Sequence, residues 1–182
     1  MIVLAGPNGA GKSTFYKAFM EASGLPFLNA DVMQVNSGVD VYEAAKAVDE
    51  ARSFFVRQGL SFITETVFSD PDGKKLAFLR IAMAAGYEVH LIYIGLESAE
   101  LAKEQVALRT LHGGHNVPPE KVAARYPRSL ANLAEAIMFV SRATLFDNST
   151  PGKHLRIAEF RTGKLVKVCT DNVPVWAQRF IA

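Results

Sequence analysis

Short apolar runs alternate along this chain with longer stretches whose apolar residues recur every three or four positions, the pattern of strands alternating with helices. Ile2-Val3-Leu4-Ala5 is the first run, and Thr14 to Met20 reads as the helix behind it. Leu25 to Asn29 reads as a short second strand after a helix stop at Gly24. Asp40 to Gln58 is the clearest helix: Val41, Ala44, Val48, Ala51 and Phe55 mark one face, Asp40 with Glu43 makes a capping box, and Gly59 ends it. Ser61 to Thr64 is the third strand. Ser69-Asp70-Pro71 opens the next helix, with Leu76, Leu79 and Met83 on its buried face and Gly86 closing it.

Val89 to Ile94 is nearly continuous in apolar residues, as in a strand covered on both faces, with His90 read as lying near an edge. Ser98 caps a helix running to about Arg109. Val122, Tyr126, Leu130, Leu133, Ile137 and Val140 form a helical stripe that Pro127 is expected to kink or break. Ala143 to Phe146 is a fifth strand. Leu155, Ile157 and Phe160, then Leu165, Val166 and Val168 beyond Gly163, read as an antiparallel hairpin. Asn172 to Ile181 is a last short helix with Trp176 and Phe180 four apart. The sum is an α/β fold: three αβα layers around a mostly parallel five-stranded sheet, with a hairpin and helix appended over 154–182, and residues 1–182 as a single domain.

Composition narrows the function without naming it. A chain of 182 residues suits one α/β domain, and 49% hydrophobic with 21% charged residues is ordinary globular usage. A net charge of +2 offers no argument for nucleic acid. No stretch reaches eighteen uninterrupted apolar residues, so no membrane span is expected. No basic region precedes an apolar one at the amino end, so no signal peptide and a cytoplasmic location are expected. The single cysteine, Cys169, excludes an intrachain disulfide, lacks metal-cage spacing, and reads as a small strand residue.

The chemistry concentrates in Gly6-Pro7-Asn8-Gly9-Ala10-Gly11-Lys12-Ser13-Thr14, which fits the P-loop pattern G-x-x-x-x-G-K-[ST] in the strand–loop–helix context that the pattern requires. Backbone N–H groups of such a loop wrap a polyphosphate, Lys12 reaches its terminal phosphates, and the Ser13 hydroxyl ligates Mg²⁺. The positive end of the following helix points at the same anion. Carboxyl ends of parallel strands line the ligand crevice. Asp31, after the second strand, therefore reads as a base for an acceptor hydroxyl or as a helix cap. Glu65, with Thr66 after the third strand, reads as a group holding Mg²⁺ through water or binding substrate.

Arg109 to Pro119 carries a glycine pair amid His112 and His115, followed by Lys121, Arg125 and Arg128. The span 109–128 is expected to be a mobile basic flap whose arginines close on a transferring phosphate. The two histidines, with no cysteine near, are a poor zinc set. No N-K-x-D motif suggests a GTPase, and no L-S-G-G signature suggests an ABC-type ATPase.

Over most of residues 1–150 the chain resembles the zeta-toxin family of P-loop kinases, in its small stand-alone branch. The resemblance rests on the P-loop, Asn29-Ala30-Asp31, Thr64-Glu65-Thr66, Arg109 with Gly113 to Pro118, Arg125-Tyr126 and Asp147-Asn148-Ser149. It implies strand order 2-3-1-4-5 and ATP-dependent phosphorylation of a hydroxyl of a sugar nucleotide, UDP-N-acetylglucosamine. By resemblance Asp31 is the catalytic aspartate, Lys12 the phosphate-binding lysine and Ser13 the Mg²⁺ ligand. Glu65 and Thr66, with His115, hold the sugar nucleotide, and Arg109 and Arg125 contact the transferring phosphate. Gln105 stands where this branch often carries another arginine. The rival readings are a kinase for another metabolite, an ATPase, or a nucleotide-dependent binding module with a protein partner such as an antitoxin.

Overall fold

The computed structural model describes residues 1–38, 40–114, 116–150 and 152–181. His115 lies outside that description, as does the side chain of Val41. Strands β1 (Ile2–Ala5), β2 (Phe27–Leu28), β3 (Ile63–Thr66), β4 (His90–Gly95) and β5 (Arg142–Asp147) pair in parallel. β6 (Leu155–Arg161) and β7 (Lys164–Val168) continue the same sheet antiparallel, and the order is β2-β3-β1-β4-β5-β6-β7. The expected order 2-3-1-4-5 runs from the β2 edge of the sheet, and the expected hairpin extends it from β5.

The alternation of buried residues along the strands builds the layers. Leu91 and Tyr93 of β4 face one apolar cluster, and Ile92 and Ile94 face the other. On the first side pack α4 (Lys74–Ala84), most of α6 (Pro119–Ile137) and α7 (Val175–Ile181), through Leu76, Leu79, Leu130, Leu133 and Trp176. On the second pack α1 (Lys12–Phe19) and α5 (Ala99–Leu111), through Phe15, Ala102 and Val106. α2 (Ala30–Ser37) and α3 (Val41–Gln58) lie against each other beyond β2. α3 forms where its pattern places it: Asp40 Oδ1 accepts from the amides of Tyr42 and Glu43, Gly59 closes it, and Ala44 and Val48 are buried.

Several expectations are corrected by packing. Pairing with β1 in the register Ile2↔Ile63 to Ala5↔Thr66 moves the third strand two residues on, so Glu65 and Thr66 are its last members and do not lie beyond it. The helix expected from Ser69 starts at Lys74, because Phe68 adopts φ 60° and Gly73 supplies the cap; Asp70 Oδ2 instead takes the Lys75 amide at 3.2 Å. His90 is not near a sheet edge: β4 lies between β1 and β5. Its Nε2 lies 2.9 Å from Thr144 Oγ1, and its pKa is pushed down to about 4, first by burial and then by Arg142 and Arg156.

α6 runs unbroken through Pro127. That proline is exposed, so the carbonyl it frees faces water, while Val122, Leu130 and Leu133 keep the buried stripe continuous. The span 109–128 is accordingly helical at both ends, with only residues 112–118 between α5 and α6. α7 begins at Val175, after Pro174, and not at Asn172. Cys169 lies just past β7, half-buried, and not within a strand.

Candidate active site

The P-loop crosses from the end of β1 to the start of α1, over the carboxyl end of β4. Gly6 has φ 144°, and a Cβ there would collide with the Ile94 carbonyl oxygen, so only glycine lets the loop pass so close. The Gly11 carbonyl accepts the first helical bond, from Phe15 at 2.9 Å. The amides of Lys12, Ser13 and Thr14 therefore have no partner within the helix and are available to an anion.

Lys12 is folded into this hollow, 6% exposed, with Nζ donating to the carbonyls of Gly6 (3.1 Å) and Pro7 (3.0 Å). Glu65 Oε1 lies 3.9 Å from the same ammonium. Burial pushes the Lys12 pKa below the ordinary lysine value; Glu65 opposes that shift, Arg109 adds to it and Asp31 opposes it. Of the three, only Glu65 is an ion-pair partner of the ammonium; Asp31 and Arg109 are exposed and act on it through space. Two neutral carbonyls and one carboxylate at 3.9 Å leave the buried ammonium favouring a further anion.

Glu65 is fixed by two donors: Asn29 Nδ2 at 2.8 Å and Ser13 Oγ at 3.2 Å, both to Oε2. Asn29 also caps α2, its Oδ1 accepting the amides of Asp31 (2.7 Å) and Val32 (3.3 Å). The cap is Asn29, so the alternative in which Asp31 is itself the cap does not hold. One asparagine thus sets both Glu65 and the backbone that carries Asp31. Thr66 is occupied locally: its Oγ1 accepts the Phe68 amide at 3.1 Å and shapes the turn after β3.

The rest of the wall comes from α5 and the segment after β5. A cleft of about 270 Å³ is lined by Gly9 and Gly11 to Thr14 of the P-loop together with Glu65, Gln105, Arg109, Asn148, Gly152 and His154. Arg125, from α6, donates to Asn8 Oδ1 at 3.4 Å, which brings it to the P-loop's outer turn. Asn148 donates to the Ala10 carbonyl at 3.1 Å. Its Oδ1 and His154 Nε2 are buried without a hydrogen-bond partner among the described residues. Buried polar atoms left unpaired beside an anion-seeking loop fit a polar ligand in the cleft.

Lys12, Ser13, Glu65 and Arg109 therefore line one hollow, from α1, β3 and α5; Arg125 reaches the P-loop through Asn8, and Asp31 lies in the first turn of α2, beside the Asn29 that holds Glu65. Sequence reasoning did not single out the double role of Asn29, the wall formed by Asn148 and His154, or Arg52. The last had a signal: it falls on the apolar face of α3, four residues after Val48, and is 7% exposed.

A family model described as zeta toxin matches residues 27–150. The chain belongs to the zeta toxin family. An uncharacterized protein of Haemophilus influenzae is 28% identical over 131 residues, covering 69% of this chain and 91% of that one. Among solved structures, a chain of the PezAT chromosomal toxin–antitoxin system of Streptococcus pneumoniae aligns with TM-score 0.57 at 18% identity, over 87% of this chain and 71% of that one. A gluconokinase from Sinorhizobium meliloti aligns with TM-score 0.52 at 18% identity, over 82% and 83%. At 18% identity these likenesses show a shared fold, that of P-loop kinases, over most of the chain.

Mg²⁺ is the metal such a site implies. Ser13 Oγ and Glu65 Oε2 are hard oxygen donors on adjoining elements, and Mg²⁺ is commonly held by one or two carboxylates together with substrate phosphates. No cluster of three or more His, Cys, Asp or Glu side chains able to hold a metal ion occurs among the described residues. No described helix is long and apolar enough to cross a membrane.

Proposed function

We propose that this zeta-toxin-family protein transfers the γ-phosphoryl group of ATP to a hydroxyl of a sugar nucleotide such as UDP-N-acetylglucosamine. The observation that carries the reading is the P-loop cleft itself, where Lys12, Ser13, Glu65 and Arg109 meet, Glu65 lying 3.9 Å from Lys12 Nζ and accepting from Ser13 Oγ. The loop amides and Lys12 hold the nucleotide's phosphates. Bound Mg²⁺, reached by Ser13 and Glu65, would neutralise charge between the terminal phosphates. Asp31, exposed at the start of α2, accepts the proton of the acceptor hydroxyl as its oxygen attacks phosphorus. Arg109 and Arg125 stabilise the charge on the equatorial oxygens, and ADP leaves with the bridging oxygen. Glu65, Thr66 and His115 are the proposed contacts to the sugar nucleotide.

The test is incubation of the protein with γ-labelled ATP and a panel of sugar nucleotides, with products identified by mass spectrometry. Label on a sugar hydroxyl, lost in Asp31→Asn while ATP binding persists, is the expected result. Label on another metabolite would replace the acceptor, and ADP with free phosphate alone would make the protein an ATPase. The toxin–antitoxin origin of the pneumococcal neighbour supports a second reading in which a protein partner occupies the acceptor side. ATP binding with no acceptor consumed would favour it.

A further inference from the structure

Arg52 is the one cation among the described residues of α3 that is buried; two of its hydrogen bonds run to the end of β3 that carries the site, and the third to Asp49 on its own helix. Its Nε donates to Thr64 Oγ1 at 2.6 Å, and its NH2 donates to the Glu65 carbonyl at 2.8 Å. Its NH1 meets Asp49 Oδ1 at 2.6 Å, a carboxylate also 3.3 Å from Lys75 Nζ. Thr64 passes the connection on, donating from Oγ1 to the Leu28 carbonyl at 3.1 Å. β2 is only two residues long and pairs with β3 through Phe27↔Ile63 and Leu28↔Thr64, so it has little ladder of its own to hold it. Asn29 and Asp31 follow directly from that strand.

From this geometry we infer that Arg52 is a positioning residue that locks the ends of β2 and β3 together and so fixes Asp31 and Glu65 relative to Ser13. The inference rests on the reading of Glu65 and Asp31 given above. The planar guanidinium is what makes it work: three donors diverge in one plane to a hydroxyl, a carbonyl and a carboxylate, which an ammonium cannot reproduce. A cation confined in a buried position without all three partners would be strongly unfavourable, so the fork and the strand ends are set together. A two-strand edge held only by its ladder would let Asn29 drift, and with it the 2.8 Å bond that orients Glu65.

The experiment compares wild type with Arg52→Lys, Arg52→Gln and Thr64→Val, the last removing only the hydroxyl relay. Amide hydrogen exchange is read at residues 28–32 and 63–66 against β5 and β6 as an internal control. Exchange at least tenfold faster at those two segments, with the control unchanged, is expected in Arg52→Gln and to a lesser degree in Thr64→Val and Arg52→Lys. Separately, ATP affinity is measured with Mg²⁺ and with EDTA. The gain in affinity that Mg²⁺ confers should shrink about tenfold in Arg52→Gln while metal-free ATP binding stays at the wild-type level. Unchanged local exchange, or exchange raised equally in β5 and β6, would overturn the assignment, as would an unaltered Mg²⁺ gain. If the wild-type protein bound no ATP, the kinase reading would fall on its own, and the exchange measurement would still decide whether Arg52 holds the strand ends.

Discussion

Ser13 Oγ donates to Glu65 Oε2 at 3.2 Å, joining the first turn of α1 to the carboxyl end of β3 across the P-loop hollow. The two residues are 52 positions apart, and parallel pairing of β1 with β3 is what brings them together. Glu65→Gln keeps the shape and removes the charge that faces both Ser13 and Lys12. Phosphoryl transfer is expected to fall by ~10²–10³, the usual loss for one preorganised electrostatic group. A Mg²⁺ titration of the rate checks it: half-saturation should move to higher Mg²⁺, and an unshifted curve would remove Glu65 from the metal's surroundings.

Gly114 is needed for the placement of Arg109. Its amide donates to the Arg109 carbonyl at 2.9 Å, and a Cβ on Gly114 would also lie 2.9 Å from that oxygen and crowd the Arg109 side chain. Gly114→Ala should push the end of α5 away from the cleft. A rate loss of about tenfold to 10²-fold is expected, the scale of a displacement of about 1 Å at a reacting centre. The thermal midpoint should stay within a few degrees of wild type, because the segment is exposed. Steady-state kinetics with parallel thermal melts measures both, and a wild-type kcat would refute the role.

Trp176 ties α7 to the end of β5. Its indole Nε1 donates to Asp147 Oδ1 at 2.7 Å, and both side chains are buried. Ser149 also bonds that carboxylate, through its hydroxyl and its amide. Trp176→Phe removes one charged hydrogen bond and leaves the others, so it should destabilise the fold by about 1–3 kcal/mol. The shift in the urea unfolding midpoint reads the effect.

His90 should make stability fall as the solution is acidified. Its folded pKa is pushed down to about 4 from an ordinary value of 6.5, chiefly by burial. Between those values the unfolded chain takes up a proton that the folded chain refuses, so stability declines from pH 6.5 toward 4 and levels off below. His90 is partly exposed, so solvent screening reduces the expected contribution to about 1 kcal/mol. Denaturant unfolding of wild type and His90→Gln at pH 7 and pH 4.5 isolates it. The wild type should lose more stability on acidification, and equal losses would contradict the assignment.

The parallel core was legible because burial of strands on two faces leaves near-continuous apolar runs, as at Val89 to Ile94, and because α3 carries both its cap and its stop. The P-loop was legible because its glycines and lysine are contiguous. Element ends were less so. Nothing local announces that β1 draws Glu65 and Thr66 into β3, or that Phe68 turns into the left-handed region and delays α4 to Lys74. Pro127 read as a helix breaker because its local effect is unfavourable, yet its exposure lets water take the freed carbonyl while the buried stripe of α6 holds the helix straight through.

By itself the amino-acid order determined a P-loop sheet and the residue types able to do phosphate chemistry, because those depend on adjacent positions and on periodicity. Only the tertiary structure decided which of them meet: that Asn29 grips Glu65, that Arg125 reaches Asn8, and that Arg52 joins the ends of two strands. Such contacts span from 13 to 117 residues of chain, and they come about through sheet register and buried hydrogen bonding, for which no neighbouring residue carries a sign.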